Sequence, residues 1–146
     1  MNLADAVKDI WKRFAYVARS KSIELEEKFE GVIVHTDRHN LDLILANLLH
    51  NAVEYSPPND RIHIVMEITG PTVNISFANT STDLCESDLN KLFDRFYRKD
   101  PARTGNHAGL GLPLVRSLAK VLNLGLHLNL KQNRIFEVKL SGLKVT

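Results

Sequence analysis

The chain has 146 residues, 44% of them hydrophobic, enough for one sizeable core and too few for two. Its 19 Lys and Arg against 17 Asp and Glu leave a formal charge of +2, too slight to mark nucleic acid or an acidic surface as the partner. A lone cysteine, Cys85, excludes an internal disulfide and suits a reducing compartment.

The first residues open into an amphipathic pattern without a signal-peptide signature. Val7, Ile10, Trp11, Phe14, Val17 and Ala18 recur at spacings of three and four, which predicts a core-facing helix. Ile23 to Phe29 and Val32 to His35 read as short strands parted by Gly31, and Asp37 offers an N-cap for a second helix starting near Arg38. Leu41, Ile44, Leu45, Leu48, Leu49 and Ala52 form that helix's buried face. Asp42 and Asn47 interrupt it, so no segment reaches the roughly 20 apolar residues that span a bilayer. Ser56-Pro57-Pro58-Asn59 stops the helix, because proline cannot continue one. Ile62 to Met66 and Val73 to Phe77 alternate around the turn Thr69-Gly70-Pro71-Thr72, a predicted hairpin.

A short helix is expected from Ser87 to Leu92, then about fifteen polar, glycine-containing residues, then helical periodicity from Leu112 to Leu122. So long a loop inside a small domain asks for a functional explanation. Leu126 to Leu130 and Ile135 to Leu140 flank Gln132-Asn133 as a closing hairpin. Helices interspersed with hairpins predict an α/β two-layer sandwich, a single unit over residues 1–146.

Chemistry concentrates at three places. Asn47 and Asn51 lie four residues apart on the second helix, one above the other, and Tyr55 continues the stripe. The stripe borders the buried face, where carboxamides need partners, although two solvated asparagines would look the same. Phe93-Asp94-Arg95-Phe96-Tyr97-Arg98 opens the long loop, and Arg95, Arg98 and Arg103 carry guanidinium forks suited to phosphate oxygens. A surface loop in which Asp94 and Asp100 balance the arginines is the alternative. Gly109-Leu110-Gly111-Leu112-Pro113 then places glycines before a helix, whose unpaired amides attract anions. A tight loop-to-helix turn also explains those glycines, and the lysine-bearing phosphate loop of Walker type is absent.

Taken in order, Asn47-Leu48-Leu49-His50-Asn51-Ala52, Leu92-Phe93-Asp94-Arg95-Phe96-Tyr97-Arg98 and Gly109-Leu110-Gly111-Leu112 resemble the N box, F box and second glycine box of sensor histidine kinases. The resemblance covers nearly the whole chain and implies the Bergerat fold, shared with gyrase, Hsp90 and MutL: a mixed, mainly antiparallel sheet with helices on one face. It implies an ATP-binding catalytic domain with an ATP lid at about 93–109. Asn51 would coordinate Mg²⁺ between the phosphates, Asn47 would support the same site, Tyr55 would pack near the adenine and Arg98 would contact the terminal phosphate. Arg95 and the Gly109, Leu110, Gly111, Leu112 turn fall in the same cofactor-binding set. These roles suit phosphoryl transfer, which is mostly positioning and electrostatic stabilisation.

The family's nucleophile is a histidine followed by an acidic residue on a dimerising helical hairpin, and none of the six histidines here has that neighbour. The γ-phosphoryl is therefore expected to go to a histidine on separate helices of a parent kinase, and onward to a response regulator in a phosphorelay. His35, His39, His50, His63, His107 and His127 read as ordinary histidines outside any metal-ligand constellation. A cytoplasmic, isolated monomer without nucleic-acid or membrane contact is the expectation, its parent often membrane-anchored.

One box departs from the family's pattern. Where Asp-x-Gly-x-Gly usually follows a strand, this chain has Asn79-Thr80-Ser81-Thr82-Asp83. The family's aspartate accepts a hydrogen bond from the adenine amine, and the Asn79 oxygen accepts one too, at a cost on the order of 1 kcal/mol. Ser81 and Asp83 replace glycines and reshape the base pocket; His107 and Glu54 also stand where glycine and a basic residue are usual. These changes support an alternative, a degenerate kinase-like signalling module that binds nucleotide weakly or not at all. A serine-directed anti-sigma kinase or gyrase-like ATPase of the same fold fits the Phe-Tyr-Arg cluster less well.

Overall fold

The computed structural model describes residues 1–29, 31–81, 84–93, 111–132 and 134–146. Helix α1 spans Leu3–Ser20, longer than the predicted stripe, because Asn2 caps it by accepting from the Asp5 amide at 3.2 Å and Leu3 and Ala6 extend its buried face. Strand β1 is Glu24–Lys28 and β2 only Val34–His35. The rest of the expected second strand bonds elsewhere: Val32 O accepts from Leu3 N, Met1 O from Val34 N and Ile33 O from Thr146 N, each at 2.9 Å.

Helix α2 is Arg38–Tyr55, begun by Asp37, whose carboxylate accepts from the Asn40 amide at 2.9 Å. Ser56 closes it, immediately before the two prolines. Strands β3, Arg61–Thr69, and β4, Thr72–Thr80, meet at a two-residue turn in which Gly70 adopts φ +58°. The predicted third helix resolves into one short helix, α3, Glu86–Leu89, tightening into a 3-10 turn over Asn90–Phe93. Helix α4 is Gly111–Val121, and β5, Gly125–Lys131, leads to β6, Ile135–Val145.

β6 runs past the predicted Leu140 because a bulge carries it through Gly142 at φ +93°. Asn74 Oδ1 accepts from the Gly142 amide at 3.2 Å, and the extra residue puts both Leu140 and Leu143 in the core, three apart. That spacing breaks the alternation by which a strand is read from sequence.

The sheet runs β1-β3-β4-β6-β2, with β5 also paired to β6. Among the described residues only β1–β3 is a parallel pair, so the sheet is mixed and mainly antiparallel, as the resemblance implies. Val73, Ile75 and Phe77 of β4, Ile62 and Ile64 of β3 and Leu140 of β6 point to the helical layer, while Arg61, His63 and Lys131 line the solvent face. α2 is the middle helix, packed against α1, α4 and β4, and five of its leucine and isoleucine side chains are buried in the shared core. Each such burial contributes roughly 2 kcal/mol.

Candidate functional site

Helix α2, the end of β4 and the start of α4 carry the predicted residues that are described, and α2 packs against both β4 and α4. Asn47, Asn51 and Tyr55 are each half-buried, as expected for a stripe at the rim of the core. They differ in what holds them. Asn47 donates its Nδ2 back to Leu43 O at 2.7 Å, which fixes the carboxamide on its own helix and leaves Oδ1 as its acceptor end. The Asn51 carboxamide takes no hydrogen-bond partner among the described residues. An amide held at that depth by helix packing keeps its ligating oxygen uncommitted.

His50 and Glu54, in the same helix, turn toward α1 instead: His50 Nδ1 lies 3.4 Å from Glu54, and its ring meets Phe14 edge-on with centroids 5.3 Å apart. Glu54, which stands where a basic residue is usual in the family, thus sits beside His50 at the α1–α2 seam. The last turn of α2 is secured from outside by Lys21, whose Nζ donates to Val53 O at 2.8 Å and Glu54 O at 2.9 Å. A cation there satisfies orphan carbonyls and complements the negative end of the helix. Nothing in the sequence ties residue 21 to residue 53, so the contact was illegible before the fold was known.

At the end of β4, Asn79 and Ser81 are 5% and 8% exposed, so these two of the three departures from the family's glycine box are built into the edge of the core. Asn79 Nδ2 donates to Thr80 O at 3.0 Å. Asp60, which follows α2, accepts from the Thr80 amide and the Thr80 hydroxyl, both at 3.0 Å. The Ser81 amide donates to Arg134 O at 2.6 Å, prolonging the β4–β6 pairing by one residue. Asp60 escaped sequence reading because it passes for a turn residue, and Thr80 because it falls at an open position of the box pattern.

Gly111 is buried at the first position of α4 and Leu112 half-buried beside it, while Pro113 lies within the first four residues, where its missing N–H costs no helical bond. Phe93 and Arg116, on either side of residues 94–110, meet in a cation–π contact at 5.2 Å. The other predicted residues, Arg95, Arg98, Arg103, His107, Gly109 and Leu110, with Asp83 of the glycine box, lie outside the described residues.

Residues 36–143 match the family of histidine kinase-, DNA gyrase B- and HSP90-like ATPases. Over 120 residues the chain is 35% identical to the sensor histidine kinase CusS of Escherichia coli O157:H7, covering 81% of this chain and 25% of that protein. It is 38% identical over 104 residues to the swarming motility regulation sensor protein RssA of Serratia marcescens, covering 70% and 22%. The fold superposes on the catalytic domain of histidine kinase ThkA with a TM-score of 0.83 at 24% identity, covering 99% of this chain and 93% of that one. The mycobacterial sensor histidine kinase MprB gives 0.82 at 20% identity, covering 99% and 95%.

The chain belongs to this ATPase family, and within it is an ATP-binding catalytic domain of the sensor histidine kinase type. It spans about a quarter of the length of the curated relatives it matches.

Proposed function

We propose that this domain holds Mg²⁺-ATP between α2 and the start of α4 and presents the γ-phosphoryl to a histidine on separate helices of a parent kinase. The observation that carries the reading is the contrast on one helix face: Asn47 is tied to Leu43 O, while Asn51 has no partner among the described residues. The donor set fits the group. Mg²⁺ takes oxygen ligands, and a neutral amide oxygen beside phosphates and waters suits its octahedral shell.

The metal, when bound, would neutralise phosphate charge and hold the γ-phosphoryl in line. Asn51 would be the protein ligand, and Asn47 would support the same site. Tyr55 would pack near the adenine, and the buried Asn79 would read its amine. Gly111 and Leu112 open α4, where first-turn amides have no intrahelical carbonyl to bond and would suit phosphate oxygens. Arg95, Arg98 and the Gly109-Leu110 segment complete the phosphate side by resemblance, within an ATP lid at about 93–109.

The partners that follow are the dimerising phosphoacceptor helices of the parent and, through the phosphohistidine, a response regulator. Among the described residues no helix is long and apolar enough to cross a membrane; we place the domain on the cytoplasmic side of its parent, monomeric when isolated.

The test is nucleotide titration with and without Mg²⁺, followed by addition of ATP and the parent's phosphoacceptor helices. Mg²⁺-dependent binding and phosphohistidine formation are expected. Tight binding without phosphohistidine would remove the transfer step, and no Mg²⁺-dependent binding at millimolar ATP would leave the degenerate module.

A further inference from the structure

An asparagine where the family reads adenine with aspartate raises a question of selectivity. A carboxylate only accepts, so it discriminates between an amine and a carbonyl at position 6 of a purine. A carboxamide accepts through one end and donates through the other, and a half-turn about its last bond exchanges them. A freely turning Asn79 would therefore take adenine through Oδ1 or a 6-oxopurine through Nδ2.

Asn79 is not free to turn. Its Nδ2 donates to Thr80 O, which commits that end to the main chain and leaves Oδ1 as the acceptor. Thr80 O is held in turn. It belongs to the same planar trans peptide as the Ser81 N–H, and that N–H is fixed across the sheet on Arg134 O. On the other side of Thr80, the Asp60 carboxylate grips both the amide and the hydroxyl, fixing the residue's backbone and its rotamer.

We propose that Asp60 and Thr80 are positioning residues that set base selectivity, holding one orientation of the Asn79 carboxamide so that an asparagine pocket keeps the adenine preference of an aspartate pocket. The proposal rests on the reading above that Asn79 faces the base.

Titrating the full chain with ATP and with ITP tests it, since the two differ in the amine or carbonyl at position 6 and the matching proton on the ring. The wild type should favour ATP by about tenfold, because a 6-oxo group would leave acceptor facing acceptor. Asp60→Ala should narrow the ratio to about twofold, chiefly by tightening ITP. Thr80→Val, which spares the backbone bond to Asp60, should fall between. In an Asn79→Asp background the ratio should widen and ignore Asp60→Ala. A change in ITP alone separates orientation from simple loosening, which would weaken both nucleotides together.

An unchanged ratio in Asp60→Ala and Thr80→Val, or parallel loss of both nucleotides, overturns the proposal. A readout without nucleotide separates the relay from the base-site reading. The Asn79 side-chain amide protons should exchange with solvent several-fold faster in folded Asp60→Ala than in wild type, and equal rates overturn the relay whatever binds. Slow wild-type exchange with no binding of either nucleotide would keep the relay and overturn its role in base selection.

Discussion

On α2 the Asn51 carboxamide meets no protein partner among the described residues, whereas at the end of β4 the Asn79 carboxamide is held by Thr80, and Thr80 by Asp60. One region gets its precision from packing: a long helix between α1 and α4 sets where Asn51 sits and spends none of its polar capacity. The other gets its precision from hydrogen bonds, spending part of the side chain's capacity to fix which end points outward. The difference follows from the tasks proposed for them. A metal ligand gains from an uncommitted oxygen, while a base reader gains from a fixed one.

The largest effect should come from breaking the uncommitted side. Asn51→Ala is expected to weaken Mg²⁺-dependent ATP binding by about 2 kcal/mol, roughly thirtyfold, with thermal stability unchanged, because that carboxamide supports nothing else among the described residues. Titrations with and without Mg²⁺ check it. An equal loss in both would mean that Asn51 touches the nucleotide and no metal.

Lys21→Met should act on the same helix by the opposite route. Removing an ammonium from Val53 O and Glu54 O leaves the last turn of α2 without its external cap, at a cost of about 1.5 kcal/mol and a melting point about 5 °C lower. Amide exchange should quicken at residues 53–56 and stay slow at Phe77 and Asn79, whose bonds lie in the sheet. Uniform quickening would mean that the two regions unfold as one.

How far these regions were legible in the sequence depends on the range of the interactions that make them. The α2 stripe was readable because Asn47, Asn51 and Tyr55 follow the helical period, Asp37 starts the helix and Pro57 stops it. The hairpin of β3 and β4 was readable from Gly70-Pro71 and strict alternation. What failed was nonlocal. β2 shrank because its backbone groups pair with the chain start and with Thr146, and β6 grew because a bulge at Gly142 reset its alternation. Asp60 to Thr80 and Lys21 to Val53 likewise join residues 20 and 32 apart, which no local pattern encodes. The resemblance located the boxes; the side chains that hold them came only with the fold.

The smallest expected effect bears most directly on the comparison. Asn79→Asp restores the family's carboxylate and exchanges a neutral hydrogen bond to the base for a charge-assisted one, so ATP affinity should rise by about 1 kcal/mol, roughly fivefold. The same change removes the Nδ2 donor from Thr80 O and sets a charge in a place only 5% exposed, so the nucleotide-free protein should lose stability while the bound one recovers part of it. Melting points with and without ATP therefore give two readings from one variant. Tighter binding with lower intrinsic stability means that the β4 end trades stability for recognition, and that Asn79 with its relay sits on the stable side of that trade. Unchanged affinity with lower stability would mean that Asn79 serves only the sheet edge, and the contrast with Asn51 would reduce to one ligand and one structural residue.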